Sequence, residues 1–201
     1  MIKVKFFTAL LILFALCSFA QNPHTYYERG VAKTNSGDFR GALHEFNKAI
    51  ELNPNSSLGY SGRAGVKERL GDLRGALQDY NKAIELSPNF ITYMLRGLLK
   101  NKMNDYEGAI KDFDKVIELF PSYTSAYINR GVSKGSLGDF RGAIKDYNKV
   151  IELEPNNSFA YNNRGIAKQN LGDIDGACLD WSKAGELGLM EAYDLIRRFC
   201  N

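Results

Sequence analysis

The side chains that most often carry out chemistry are few in this chain and lie far apart. Its two histidines, His24 and His44, belong to no cluster of cysteines or carboxylates with the spacing of a zinc site. The sequence contains no Gly-x-Ser-x-Gly, Walker or dinucleotide-binding motif, and no pair of carboxylates stands out as an acid and a base. We therefore expect no catalytic residue, no metal site and no cofactor, and we do not expect the chain to be an enzyme.

Residues 1–20 differ in composition from the rest of the chain and have the order of a secretory signal peptide. Two lysines precede an apolar run at residues 6–17, and the small residues Ser18 and Ala20 follow it, with a peptidase expected to cut after Ala20. The apolar run is shorter than the roughly 20 residues that span a bilayer. An uncleaved anchor and a lipoprotein attached at Cys17 are the alternatives, but we expect an exported chain that is periplasmic or secreted.

The two cysteines of the exported chain are placed to form a disulfide. Cys178 lies on a predicted helix at 174–187, and Cys200 follows a further predicted helix at 190–199. Leu189 is the midpoint of the two cysteines and lies at the turn, so antiparallel packing would bring them side by side. Because export leads to an oxidising compartment, we expect a disulfide between Cys178 and Cys200. The alternative is a pair of buried thiols.

The net charge limits the kinds of partner. The chain has 26 Lys and Arg against 23 Asp and Glu, and cleavage after Ala20 would leave 24 basic residues. A nearly neutral chain lacks the basic surplus that binds nucleic acid or anionic membrane. We expect no nucleic-acid partner and, since no later apolar run is long enough, no membrane span in the mature chain.

An internal repeat defines the secondary-structure elements that hold the side chains of this chain. Four of the five prolines lie 33 or 34 residues apart, and a Gly-Asp or Asn-Asp pair recurs in step with them. An array of this kind buries its apolar faces by stacking the copies. The prolines are Pro54, Pro88, Pro121 and Pro155, and the five pairs begin at Gly37, Gly71, Asn104, Gly138 and Gly172.

Each copy is predicted to be a helical hairpin, with helix A before the pair and helix B after it. Apolar residues between Gly37 and Pro54 recur at spacings of three and four, as in an amphipathic helix. Gly or Asn at the first position of each pair suits the left-handed end of helix A. The following Asp suits the N-cap of helix B, and the proline then ends that helix.

Small residues facing large ones predict how the two helices of a hairpin pack. Helix A carries a small row, and helix B carries an alanine row and an aromatic row; a tyrosine row also recurs on helix A. We assign both aromatic rows to the core. The rows are Gly30, Ala64, Gly97, Gly131 and Gly165; Ala42, Ala76, Ala109, Ala143 and Ala177; Phe46, Tyr80, Phe113, Tyr147 and Trp181; and Tyr26, Tyr60, Tyr93, Tyr127 and Tyr161.

The combined pattern resembles the tetratricopeptide repeat family, and Tyr127, Gly131, Ala143, Tyr147 and Pro155 show it most fully. The resemblance covers residues 23–191 within a domain at 21–201, and with the leader it suggests a secreted bacterial type. It implies an all-α, right-handed superhelical solenoid of five hairpins, with a capping helix at about 190–199 and a concave groove lined by the A helices. The repeats are expected at about 23–56, 57–89, 90–123, 124–157 and 158–191.

The chain departs from the family at two positions of each repeat. An arginine replaces the usual Leu before the Gly, and a lysine replaces the usual Tyr three residues after it. We hypothesise a structural ion-pair ladder between these residues and one acid on each helix B. The arginines are Arg29, Arg63, Arg96, Arg130 and Arg164; the lysines are Lys33, Lys67, Lys100, Lys134 and Lys168; the acids are Glu45, Asp79, Asp112, Asp146 and Asp180.

The resemblance also implies which residues of the A helices face the groove. We expect Tyr27, Met94 and Phe159 to be exposed there, whereas Leu98 is equally consistent with exposure and with packing on the next helix. The candidate groove residues are His24, Tyr27, Leu58, Ser61, Ile91, Met94, Leu98, Asn101, Ser125, Ile128, Phe159, Asn162 and Gln169.

Two functions follow from this resemblance. The first is a non-enzymatic scaffold or adaptor that binds a peptide or a partner helix in the groove. The alternative is a structural component that assembles with itself as a homo-oligomer or within a cell-envelope complex. An exposed apolar groove would favour the first, and an apolar surface at the end of the array would favour the second.

Overall fold

Helices of similar length alternate with short turns throughout residues 22–200, the part of the chain that the computed structural model describes. The signal peptide expected at residues 1–20 lies outside this part. No strand occurs within residues 22–200, and the expected all-α fold of five hairpins and a capping helix is confirmed. The helices are α1 Pro23–Asn35, α2 Phe39–Leu52, α3 Ser57–Arg69, α4 Leu73–Leu86, α5 Phe90–Lys102, α6 Tyr106–Leu119, α7 Thr124–Ser136, α8 Phe140–Leu153, α9 Ser158–Asn170, α10 Ile174–Glu186 and α11 Glu191–Phe199.

The chain divides into two compact units, with the boundary in the sequence between Pro88 and Asn89. Unit 1 contains the hairpins α1–α2 and α3–α4. Unit 2 contains the hairpins α5–α6, α7–α8 and α9–α10, followed by the capping helix α11. Within each unit, every helix A packs on its own helix B, and that helix B packs on the helix A of the next hairpin.

The turn between the two helices of each hairpin has the predicted chemistry. In all five hairpins the Asp side chain accepts a hydrogen bond from the backbone N–H three residues later, as from Gly142 to Asp139 at 2.9 Å. The residue before the Asp is in the left-handed region, with φ of 83° at Gly138 and 61° at Asn104. Asn104 therefore replaces glycine at a position where asparagine is the next most tolerated residue.

The core of each hairpin is built from the predicted small and aromatic rows. The aromatic row of helix B is buried in all five hairpins, and the small row gives it room. A Cβ atom on Gly131 would lie 2.7 Å from Tyr147 Cε1, and one on Gly165 would lie 2.6 Å from Trp181 Nε1. The tyrosine row of helix A differs from the expectation, because only Tyr127 is buried and the other four tyrosines are half-buried.

The close approach at Gly131 predicts opposite effects for the same substitution at two glycines of α7. Gly131→Ala should lower the free energy of unfolding by about 2 kcal/mol, because the added methyl group overpacks the core against Tyr147. Gly135→Ala should raise it by about 0.5 to 1 kcal/mol, since a Cβ atom there meets nothing within 4 Å and alanine is the better helix former. Urea unfolding followed by circular dichroism measures both; two changes of the same sign would contradict the predicted packing.

The C-terminal capping helix covers the last hairpin. Ala192 of α11 is fully buried against Ala177, Trp181 and Ala184 of α10, and the rings of Trp181 and Phe199 are 5.7 Å apart. Cys178 and Cys200 form a disulfide with their Cα atoms 5.8 Å apart. The covalent bond and the packing together fix α11 on the end of unit 2.

Candidate partner-binding face

Most arginines and lysines of the A helices are engaged by one buried carboxylate in their own hairpin. Asp146 accepts hydrogen bonds from Arg130 Nε at 3.0 Å and Nη2 at 2.5 Å, and from Lys134 Nζ at 2.8 Å. Asp79, Asp112 and Asp180 hold their arginines and lysines in the same way. The hypothesised ion-pair ladder is therefore confirmed in four hairpins.

Each ladder arginine also packs on the ring of the tyrosine three residues earlier. The guanidinium carbon lies 5.3 to 5.7 Å from the ring centre in all five hairpins. In unit 2, Arg130 Nη1 additionally reaches Asp114 of the preceding hairpin at 2.6 Å. Burial opposes the charge of Arg130, but its hydrogen bonds to Asp146 and Asp114 outweigh burial and raise its pKa. These charges are thus committed to the scaffold.

The first hairpin departs from the ladder. Lys33 pairs with Glu45 at 2.6 Å, but Arg29 is exposed and packs on the ring of Tyr26. The expected pairing of Arg29 with Glu45 is wrong. The difference coincides with the longer Glu side chain, which stands where the other four hairpins have Asp.

The exposed side of the B helices carries charged side chains, some of them in ion pairs between neighbouring turns. A lysine pairs with a glutamate three residues later in all five hairpins, at 2.6 to 3.0 Å. Exposed pairs of this kind contribute little to stability. The B helices therefore present a solvated, charged face, on which exposed Arg141 and Lys145 of α8 add to the paired charges.

The exposed side of α5, α7 and α9, which we call the A-face of unit 2, is different. Leu98, Val132 and Ile166 occupy equivalent positions on the three helices, directly after the small residue that packs on the aromatic row. Each is 38% to 41% exposed. They form an aliphatic stripe across three hairpins. Sequence reasoning selected Leu98 and missed Val132 and Ile166, although the repeat register would have identified them.

Three further candidates lie on the first turn of these helices. Ile91 and Phe159 are more than half exposed, and Ser125 between them is half-buried. Phe159 adjoins a surface hollow of about 460 Å³ formed with residues 154–158. Glu154 in this hollow accepts hydrogen bonds from Thr124 and Asn157, which lower its pKa. The exposure expected for Phe159 agrees with the structure.

Two apolar candidates in unit 2 belong to the core instead. Met94 is 8% exposed and packs with Ala109, Phe113, Val116 and Ala126. The expected exposure of Met94 is wrong, because its flexible side chain fills the space between its own helix B and the next helix A. Ile128 is half-buried and packs on the cluster of Tyr127, Val150 and Ala160.

The polar candidates in unit 2 line the same helices. Asn101 Oδ1 lies 2.7 Å from the hydroxyl of Ser133 and so joins α5 to α7. Asn162 accepts a hydrogen bond from Trp181 Nε1 through its carbonyl, while its side-chain Oδ1 is buried without a hydrogen-bond partner among residues 22–200. Gln169 is half-buried on the last turn of α9.

A cavity of about 240 Å³ opens between α7, α8 and α9. Its walls include Val132 and Ile166 of the aliphatic stripe. All residues that line it are uncharged: Val132, Gly135, Ser136, Phe140, Ala143, Tyr147, Asn163, Ile166 and Ala167.

Three of the four candidates in unit 1 line a separate cavity. His24, Tyr27 and Leu58 line a volume of about 280 Å³ with Pro23, Asn53 and Ser56. Tyr27 is half-buried and its ring lies 5.7 Å from that of Phe46, so it is less exposed than expected. Ser61 is half-buried on α3 and is not part of the lining of this cavity.

The structure gives no sign of a metal centre or a membrane helix in the part of the chain that it describes. Within residues 22–200, no three His, Cys, Asp or Glu side chains are grouped as metal ligands. No helix in this range is long and apolar enough to cross a bilayer.

Sequence models of the tetratricopeptide repeat match residues 23–56, 60–90, 91–123, 124–157 and 146–178. Because these matches cover most of the chain, it belongs to the tetratricopeptide repeat family. No curated protein matches the sequence significantly.

Solved structures with similar folds include several of this family. A crystal structure of MamA protein is 25% identical, with a TM-score of 0.78 over 87% of this chain and 96% of that one. YrrB, described as a TPR protein with an unusual peptide-binding site, is 19% identical, with a TM-score of 0.80 over 92% and 96%. MamA from Desulfovibrio magneticus RS-1 is 20% identical, with a TM-score of 0.78 over 82% and 94%. The likenesses below 25% identity show the shared fold.

Proposed function

We propose that the protein is a non-enzymatic scaffold that binds an uncharged peptide or partner helix on the A-face of unit 2. The observation that carries this proposal is the exposed aliphatic stripe of Leu98, Val132 and Ile166, next to a cavity with neutral walls. Exposed apolar surface of this kind marks interaction sites in folded proteins.

The distribution of charge supports the choice of face and of partner. The B helices present a charged face, and the ladder residues of unit 2 are committed to buried carboxylates. The aliphatic stripe and the adjoining cavity instead offer aliphatic, hydroxyl and amide groups, which suit the side chains and backbone of an uncharged segment. The solved YrrB structure is described as having a peptide-binding site, which is consistent with this use of the fold.

Export and the oxidising compartment are part of the same proposal. The leader at residues 1–20 has the composition of a signal peptide. The Cys178–Cys200 disulfide supports export, because disulfides persist mainly outside reducing compartments. We therefore place the protein, as a secreted bacterial type, in the periplasm or outside the cell.

A selection from a random peptide library on the immobilised mature chain tests the binding function. Peptides enriched by the wild-type chain should bind a Leu98→Ser/Ile166→Ser variant at least about tenfold more weakly, which is about 1.4 kcal/mol. Their affinity, measured by fluorescence anisotropy, should change less than about twofold in Leu153→Ser, since Leu153 has similar exposure on a B helix. A selection without enrichment, or equal binding to both variants, would contradict the proposal.

Self-assembly is a second candidate, and one observation at the end of the array favours it. Leu179 on α10 is 73% exposed, whereas the equivalent positions carry His44, Gln78, Lys111 and Lys145. Met190 and Tyr193 are also exposed near the capping helix. Sedimentation velocity of the mature chain and of a variant at Leu179 distinguishes the candidates. Only self-assembly predicts a sedimenting mass above that of the monomer that falls when Leu179 is replaced.

A further inference from the structure

We propose that the cavity between α7, α8 and α9 is a recognition pocket for one uncharged aromatic side chain that carries a hydroxyl group, as tyrosine does. The inference rests on the proposed function, since the aromatic side chain would belong to the segment bound on the A-face of unit 2. It adds the identity of the side chain that the face selects.

The size and walls of the pocket suit an aromatic ring. Its volume is about 240 Å³, and an apolar cavity of about 150 Å³ is sufficient to hold benzene. Val132, Ile166 and Phe140 give apolar walls, and Ala143 and Ala167 are buried at its base. Gly135 leaves one wall open, because a Cβ atom there would have no neighbour within 4 Å.

A hydroxyl group without a partner gives the pocket its polar contact. Tyr147 is only 3% exposed, lines the cavity, and makes no side-chain hydrogen bond with any residue between 22 and 200. The Tyr147 Oη atom lies 3.2 Å from the position that a Cβ atom on Gly131 would occupy. Gly131 is one helical turn before Gly135, which lines the cavity. Among residues 22–200 only Asn162 Oδ1 is fully enclosed without a partner, so the Tyr147 hydroxyl still reaches solvent. A ligand hydroxyl at this point would hydrogen-bond to it in place of water.

The other hairpins of unit 2 lack this feature. The residue equivalent to Tyr147 is Phe113 in one, which has no polar group, and Trp181 in the other. Trp181 Nε1 already donates to the carbonyl of Asn162. Burial also raises the pKa of Tyr147, so its hydroxyl stays neutral and can both donate and accept. A neutral hydroxyl in an uncharged pocket excludes ionic side chains as good occupants.

Titration of the ¹⁵N-labelled mature chain with three small probes tests the pocket directly. N-acetyl-L-tyrosinamide should shift the amide resonances of Gly135, Ile166 and Ala167 with millimolar affinity, and N-acetyl-L-phenylalaninamide should bind several-fold more weakly. N-acetyl-L-leucinamide serves as the aliphatic control and should bind most weakly. In Tyr147→Phe, the preference for the tyrosine probe over the phenylalanine probe should disappear.

A variant that fills the pocket but keeps the fold is the control. Gly135→Leu projects into open space and should keep the fold, while tyrosinamide binding falls at least about tenfold. Shifts outside α7, α8 and α9, no shifts, or unchanged binding in Gly135→Leu would overturn the pocket. If library peptides bind but the probe does not, the pocket is wrong and the proposed function stands. If the probe binds but no peptide is selected, the pocket is supported and the proposed function fails.

Discussion

Replacing Asp146 by asparagine is expected to lower the free energy of unfolding by about 4 kcal/mol, because two cations lose their buried counter-ion. Arg130 and Lys134 both pair with this carboxylate, whose side chain is 4% exposed, and Arg130 is itself 17% exposed. Neither cation can regain full hydration without disturbing the packing of α7 on α8. Urea unfolding followed by circular dichroism measures the loss.

Glu152→Gln is the matched control for Asp146→Asn. Glu152 lies on the same helix and pairs with Lys149, but both side chains are exposed to solvent. Its removal should change stability by less than about 0.5 kcal/mol. The double variant Asp146→Asn/Arg130→Leu should recover part of the loss, since it no longer leaves the guanidinium without its buried partner, Asp146. Equal stabilities of Asp146→Asn and Glu152→Gln would contradict a structural role for the ladder.

Reduction of the Cys178–Cys200 disulfide should destabilise the capping helix by about 3 kcal/mol in the chain-entropy model. The bond closes a loop with a sequence separation of 22 and holds α11 against Trp181 of the last hairpin. Hydrogen exchange of the α11 amides, with and without a reductant, measures this effect, and protection should fall on reduction.

The Cys178→Ser/Cys200→Ser variant is the control for reduction. Its exchange should match that of the reduced wild-type chain and should not respond to the reductant. Two thiols that react with a dye in the native, unreduced chain would show that the bond does not form. Identical α11 protection before and after reduction would show that the bond contributes nothing to the cap.

The sequence was sufficient to predict the hairpins because their local chemistry repeats. Asn104 illustrates this: a residue other than glycine at the end of helix A still belongs to the small set that adopts positive φ. The ion-pair ladder was predictable for the same reason, since an arginine, a lysine and an acid recur in fixed register. The rings beneath the arginines were harder to interpret, because a recurrent tyrosine is compatible with both a buried and a half-buried position.

The candidate face was only partly predictable, since exposure depends on the neighbouring helix. Met94 occupies a position that faces the groove in the family pattern, yet Phe113 and Ala126 leave room for it in the core. The cavity at Tyr147 arises where Gly135, Ala143 and Ala167 are all small at one point in space. These residues come from three helices, and their coincidence is not a feature of any single repeat.

A further hydrogen bond from three of the ladder arginines gives the junctions between their hairpins a direction. Arg63, Arg130 and Arg164 each reach back to the preceding hairpin, at Asn47, Asp114 and Asn148 respectively. Those three acceptors are exposed, whereas the arginines are mostly buried. Loss of a later hairpin therefore returns an acceptor to water, but loss of an earlier one leaves a sheltered guanidinium nitrogen without its acceptor. In electrostatic terms, each of these three junctions is therefore more sensitive to changes in the earlier hairpin than to changes in the later one.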